Sequence, residues 1–199
     1  MNRQLAKKIL TIPVSLLTCL CAVTPAIALP GQDAEDVGAW IQAHPTLRPS
    51  RNEKFLINKT DTAAQRFTFQ ASVMPPGKIG VFTNRGKIRS ERISIYDAIN
   101  GMSFNRLQES LRIIYGMDIY QDFKRAQTVY EYPSSGQINS ARFAKKPIQE
   151  ALQGELRLGD RYAYWVEIAQ PREGKAYIGQ MTVLLKADLE KLQEELKVR

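Results

Sequence analysis

Residues 162–185 constrain the chain most. Tyr162, Tyr164, Val166 and Ile168 recur at a spacing of two and alternate with Ala163, Trp165, Glu167 and Ala169. That period belongs to a β-strand rather than a helix. Gln170–Gly174 follows with turn-forming residues, and Lys175–Leu185 resumes the alternation. The segment therefore predicts a hairpin. Upstream, Leu156 and Leu158 carry the same period, and Gly159-Asp160 predicts a tight turn with Gly159 at positive φ. Three antiparallel strands in sequence order result: Glu155–Leu158, Arg161–Ala169 and Lys175–Leu185. Neither hairpin face is purely polar. Such a sheet needs helix on one side and partial cover on the other.

The rest of the chain supplies partners for that hairpin. Phe67, Phe69, Ala71 and Val73 alternate with polar residues, which predicts a half-buried strand over Arg66–Val73. Further strands are predicted at Phe55–Ile57, Ile79–Phe82 and Lys87–Tyr96. Lys59–Ala63 and Asn84–Gly86 read as turns. Asp33–Ala43 is a short helix by the spacing of Val37, Trp40 and Ile41, and His44-Pro45 ends it. Ser103 caps a second helix, Phe104–Tyr115, whose stripe of Phe104, Leu107, Leu111, Ile114 and Tyr115 faces a core before Gly116 closes it. Full burial of Leu107 or Leu111 is worth roughly 1.5–3 kcal/mol. Ile119–Tyr132 reads as extended chain and Ile138–Lys145 has no clear pattern. Pro147–Gln153 reads as a helix with Ile148, Ala151 and Leu152 inward and Gly154 closing it. A last helix from Ala187 aligns Leu189, Leu192 and Leu196, and spaces Lys191 and Glu195 for an ion pair. The fold class is α+β: a single domain with a mainly antiparallel sheet and packed helices, the C-terminal one included.

The first 28 residues read as an address. Arg3, Lys7 and Lys8 precede an uncharged apolar run, Ile9–Val23, and Ala26-Ile27-Ala28 has the small–any–small pattern of a signal-peptidase site. Residues 1–28 are expected to be a cleaved secretory signal and residues 29–199 the mature domain. A retained signal anchor is the alternative, although the run is short for a span. Cys19 and Cys21 lack the small residues that precede a lipidated cysteine. Cleavage leaves 171 residues with 25 basic and 20 acidic side chains, a net +5, and no cysteine. The mature chain is expected outside the cytoplasm, periplasmic or extracellular, without a disulfide or a thiol nucleophile.

No stretch forms a catalytic, phosphate-binding or cofactor motif. His44 is the single histidine, too few for an ordinary zinc site or an evident catalytic triad. Neither metal nor cofactor is expected. Carboxylate pairs are the remaining catalytic possibility, because a carbohydrate-cleaving hydrolase needs only two. Asp118 with Asp122, and Glu155 with Glu167, are the candidates. The basic stretch Lys78–Arg92 carries a net +4, and Arg85, Lys87, Arg89 and Arg92 are its candidate anion-binding side chains. Arg142, Lys145 and Lys146 form a second basic group. Tyr162, Tyr164 and Trp165 are candidate partner-binding aromatics. These features point to an exported, non-catalytic binding or structural protein of the cell envelope. Its expected partner is an anionic membrane surface, an envelope polymer or another protein. Export makes nucleic acid the weakest candidate.

Overall fold

The computed structural model describes residues 29–77 and 86–199. The signal segment, the strand read at Ile79–Phe82, and Asn84 and Arg85 lie outside the described residues. Seven strands form one antiparallel sheet with the order β1-β2-β3-β7-β6-β5-β4. Two meanders build it. The first is β1 (Leu56–Thr62), β2 (Gln65–Ser72) and β3 (Ser90–Asp97). The second is β4 (Gln127–Tyr132), β5 (Leu152–Leu158), β6 (Ala163–Ala169) and β7 (Ile178–Leu184). The meanders meet where β3 pairs with β7, Ile93 opposite Met181. The predicted three-strand hairpin unit is thus β5, β6 and β7 of the seven-stranded sheet, and β6 is its most deeply buried strand.

Helices α1 (Ala34–Ala43), α2 (Phe104–Tyr115) and α3 (Met117–Arg125) cover one face. Leu107, Leu111, Ile119 and Phe123 pack there with Phe69, Ile93, Tyr164, Val166 and Met181. The Ser103 hydroxyl caps α2 by accepting the Arg106 N–H. Helix α2 approaches β7 so closely that a Cβ on Gly179 would lie 2.8 Å from the Met102 side chain and 2.9 Å from that of Leu107. On the other face, α6 (Leu189–Lys197) buries Leu189, Leu192 and Leu196 against Leu156, Ala163, Trp165 and Leu184. Lys191 and Glu195 pair at 2.8 Å along its outer side. The α+β architecture and the packed C-terminal helix are those the periodicity predicts.

Several local expectations are corrected. Ile119–Tyr132 is not extended throughout. Gly116, with φ 80°, ends α2 and lets the chain re-enter helix as α3, which buries Ile119, Asp122 and Phe123 along one side. Ser135–Phe143 is helix α4, started by a reciprocal capping box between Ser134 and Gln137. Helix α5 is only Pro147–Ala151, because Leu152 already pairs with Ala169 in β5, so Gly154 lies in that strand. Ile148 points outward and is 74% exposed. Strand β1 continues through the expected turn at Lys59–Ala63 to Thr62, since Thr60 pairs with Arg66. Gly159 does not adopt positive φ. Its N–H donates to the Tyr162 carbonyl, so the chain reverses at Asp160-Arg161. Glycine is needed there for proximity: a Cβ would sit 2.5 Å from an Asp122 carboxylate oxygen.

Candidate functional site

The basic stretch Lys78–Arg92 is drawn into the fold where it is described. Arg85 lies outside the described residues. Lys87 pairs with Asp33 at 3.5 Å and donates to the Gly31 carbonyl. Arg89 makes a two-pronged pair with the buried Asp188 of the 3-10 turn before α6, its Nε 3.1 Å from Oδ2. Arg92 reaches across the sheet to lie 5.7 Å above the Trp165 ring. Its Nε is buried without a hydrogen-bond acceptor. Burial lowers the Arg92 pKa, opposed by the Glu167 charge. Glu91, counted in sequence as the local counter-charge, points to the opposite face. There it is fully buried, with Tyr115 donating at 2.7 Å to one oxygen and nothing to the other. Burial pushes its pKa up to about 7. Lys87, Arg89 and Arg92 therefore do not converge on an exposed patch.

The aromatic candidates are core. Tyr164 is fully buried in the larger core, and its hydroxyl donates to Asp122 at 2.6 Å. Trp165 is buried beneath α6 and donates to the Tyr132 hydroxyl at 2.7 Å. Tyr162 is half-buried and packs against the larger core. Tyr164 and Trp165 thus offer no surface to a partner.

Three of the four carboxylates named from sequence, Asp122, Glu155 and Glu167, also have structural partners. Asp122 accepts the backbone N–H groups of Asp160 at 3.0 Å and Arg161 at 3.2 Å, which fixes the β5–β6 turn. Asp118 is exposed. Glu155 and Glu167 fall on opposite faces, because Glu155 pairs with Val166 and Glu167 with Gly154. Glu167 is buried under donors from Tyr132 at 2.6 Å, Gln180 at 2.9 Å and Arg199 at 2.5 Å. His44 lies against Trp40, with ring centroids 4.5 Å apart, and its Nε2 is 3.0 Å from the Ile114 carbonyl. Its Nδ1 accepts the N–H groups of Thr46 and Leu47, and burial lowers its pKa. Among the described residues, no group of three or more His, Cys, Asp or Glu side chains is placed to hold a metal ion.

The second basic group does converge. Helix α4 ends at Phe143, and a tight turn follows in which Lys145 has φ 52° and Lys146 N–H donates to the Ala141 carbonyl at 2.8 Å. Pro147 then opens α5. The β6–β7 connection brings Arg172 to the same corner. Glu150 ties the three segments together, accepting from Arg142 at 2.7 Å and Arg172 at 2.6 Å. Those two arginines lower the Glu150 pKa, Arg172 first. Arg142, Lys145, Lys146 and Arg172 against Glu150 give the corner a net +3, around a cleft of about 580 Å³. Phe143 and Ile148, neighbours of these charges in the chain, are 93% and 74% exposed. Sequence reading marked Arg142, Lys145 and Lys146. It missed Arg172, which is distant in the chain, and Phe143, which sat in a segment with no evident period.

No family model, no curated protein and no solved structure matches this chain. Among the described residues, no helix is long and apolar enough to cross a membrane.

Proposed function

We propose that the mature, exported chain is a non-catalytic envelope protein that docks on an anionic membrane surface through the α4–α5 corner. The carrying observation is that Phe143 and Ile148, both strongly exposed, lie in the same short stretch as the exposed Arg142, Lys145 and Lys146, which share a cleft with Arg172. Two exposed large apolar side chains in a segment rich in exposed cations match the interface of an anionic bilayer, where the ring and methyls enter the acyl boundary and the cations stay at the headgroups. Each cation near such a surface contributes roughly 1 kcal/mol. Each apolar side chain adds roughly 1.5–3 kcal/mol on burial. Ordering costs reduce the total, so the expected association is reversible and peripheral. The Glu150 clamp presets the corner and limits that cost. The N-terminal pattern supports export, and sequencing of the exported protein is expected to begin at Leu29.

Co-sedimentation with vesicles tests the docking. The chain is expected to bind vesicles containing phosphatidylserine, to leave pure phosphatidylcholine vesicles largely unbound, and to release as salt rises. Joint replacement Phe143→Ser and Ile148→Ser is expected to weaken binding by about tenfold or more. Lys145→Gln with Lys146→Gln is expected to weaken it chiefly at low salt. Undiminished binding of both double variants would reject this assignment.

A further inference from the structure

A second cleft, about 670 Å³, lies between the start of α2 and the β4–β5 edge of the sheet. Phe104 and Gln108, one helical turn apart, form its wall. Glu131, Gln153, Glu155 and Arg157 contribute to its floor. Glu131 and Glu155 are register partners across β4 and β5, so both carboxylates leave the same face. Like charges placed directly opposite disfavour strand pairing. Only Glu155 is neutralised, by Arg157 with Nε at 2.8 Å and Nη2 at 3.1 Å. The Arg157 guanidinium is held in turn 4.8 Å above the Phe123 ring. Glu131 is exposed and forms no ion pair among the described residues.

The donor and acceptor inventory selects the ligand class. The carboxylates only accept, the guanidinium only donates, and the two glutamine amides do both. A carboxylate or phosphate ligand would meet the Glu131 carboxylate, an acceptor it cannot satisfy. An amine would leave the glutamine N–H groups, and the Arg157 N–H groups not already given to Glu155, without a partner. Hydroxyl groups serve both kinds. Adjacent hydroxyls also match planar carboxylate, amide and guanidinium edges, while the Phe104 ring offers an apolar wall to the C–H face of a sugar. The volume is ordinary for a small-molecule site. We infer that this cleft binds a neutral saccharide through its hydroxyls. The inference does not depend on the basic corner, which uses different residues and a different ligand.

The test is titration of the mature chain, followed by ¹H–¹⁵N spectra, with maltotriose, tri-N-acetylchitotriose, trigalacturonate and spermidine, each to about 10 mM. A neutral trisaccharide is expected to shift the side-chain amide signals of Gln108 and Gln153, with little dependence on salt. Glu131→Ala and Gln108→Ala remove side chains at the cleft surface, and thermal melts check that both variants remain folded. Each is expected to weaken that binding about threefold or more, whereas the Phe143→Ser, Ile148→Ser variant binds the sugar like the parent chain. Shifts with spermidine alone, with trigalacturonate alone, or with no probe would overturn the inference. So would neutral-sugar binding unchanged in both cleft variants. Loss of vesicle docking with sugar binding intact would reject the corner and leave the cleft standing.

Discussion

Lys87, Arg89 and Arg92 lie within six positions of one another, whereas Arg142, Lys145, Lys146 and Arg172 are spread over 31. The compact group is dispersed by the fold and the scattered group is gathered by it. Alternation along a strand sends adjacent side chains to opposite faces, so Glu91 and Arg92 never share an environment. Arg89 meets Asp188 as β3 begins. The corner arises where two short helices and a loop meet, and Arg142, Lys145, Lys146 and Arg172 are exposed there. Charge density along a sequence therefore measures surface charge only where the backbone leaves side chains free to converge.

The contrast is easiest to break at Arg89. Arg89→Met leaves Asp188 buried without its cation and is expected to cost about 3 kcal/mol in urea unfolding. A loss below about 0.5 kcal/mol would make Arg89 an ordinary surface charge after all.

Glu91 gives the next largest effect. Its folded-state pKa of about 7 stands above the usual 4.5. Between those values the folded chain keeps a proton that the unfolded chain has released. Stability is thus expected to fall as pH rises from about 4.5 to 7, by at most ~1.4 kcal/mol per pH unit from this group, and to level off above 7. Glu91→Gln should remove that slope from a series of denaturation midpoints. An identical slope in the variant would assign it to other groups.

Arg92→Met sharpens the comparison in the opposite direction. Its guanidinium is desolvated and forms no ion pair among the described residues, so an apolar chain of similar length is expected to leave stability unchanged or raise it by about 1 kcal/mol. A loss of about 2 kcal/mol or more would mean that its contact with Trp165 outweighs the desolvation. The smallest change belongs to the corner. Phe143→Ser and Lys145→Gln are expected to shift unfolding by less than about 0.5 kcal/mol, because neither side chain has a buried contact to lose.

How much was legible follows the strength of local patterning. Helix α2 could be read to its termini because Ser103, the leucine stripe and Gly116 all state the same boundaries. Helix α4 could not, since Ala141 is its sole buried residue and little apolar period exists to detect. Its signal was the Ser134-x-x-Gln137 capping box. Ile148 was placed inward by helical spacing, but α5 is a single short turn region whose outer side meets solvent. The Glu131–Glu155 pairing depends on the register of β4 against β5, and a bulge between Thr128 and Tyr130 shifts that register. Residue spacing carries no record of such a shift.

By itself the sequence determined the α+β class, the β5-β6-β7 meander, helix α2 and the apolar face of α6. Each rests on a period or cap contained within a few consecutive residues. Tertiary structure alone decided which charges are free, which carboxylates share a face and which aromatics are buried. Those properties depend on what packs opposite a residue, and the opposing group is far away in the chain: Asp188 for Arg89, Asp122 for Tyr164, Arg172 for Glu150.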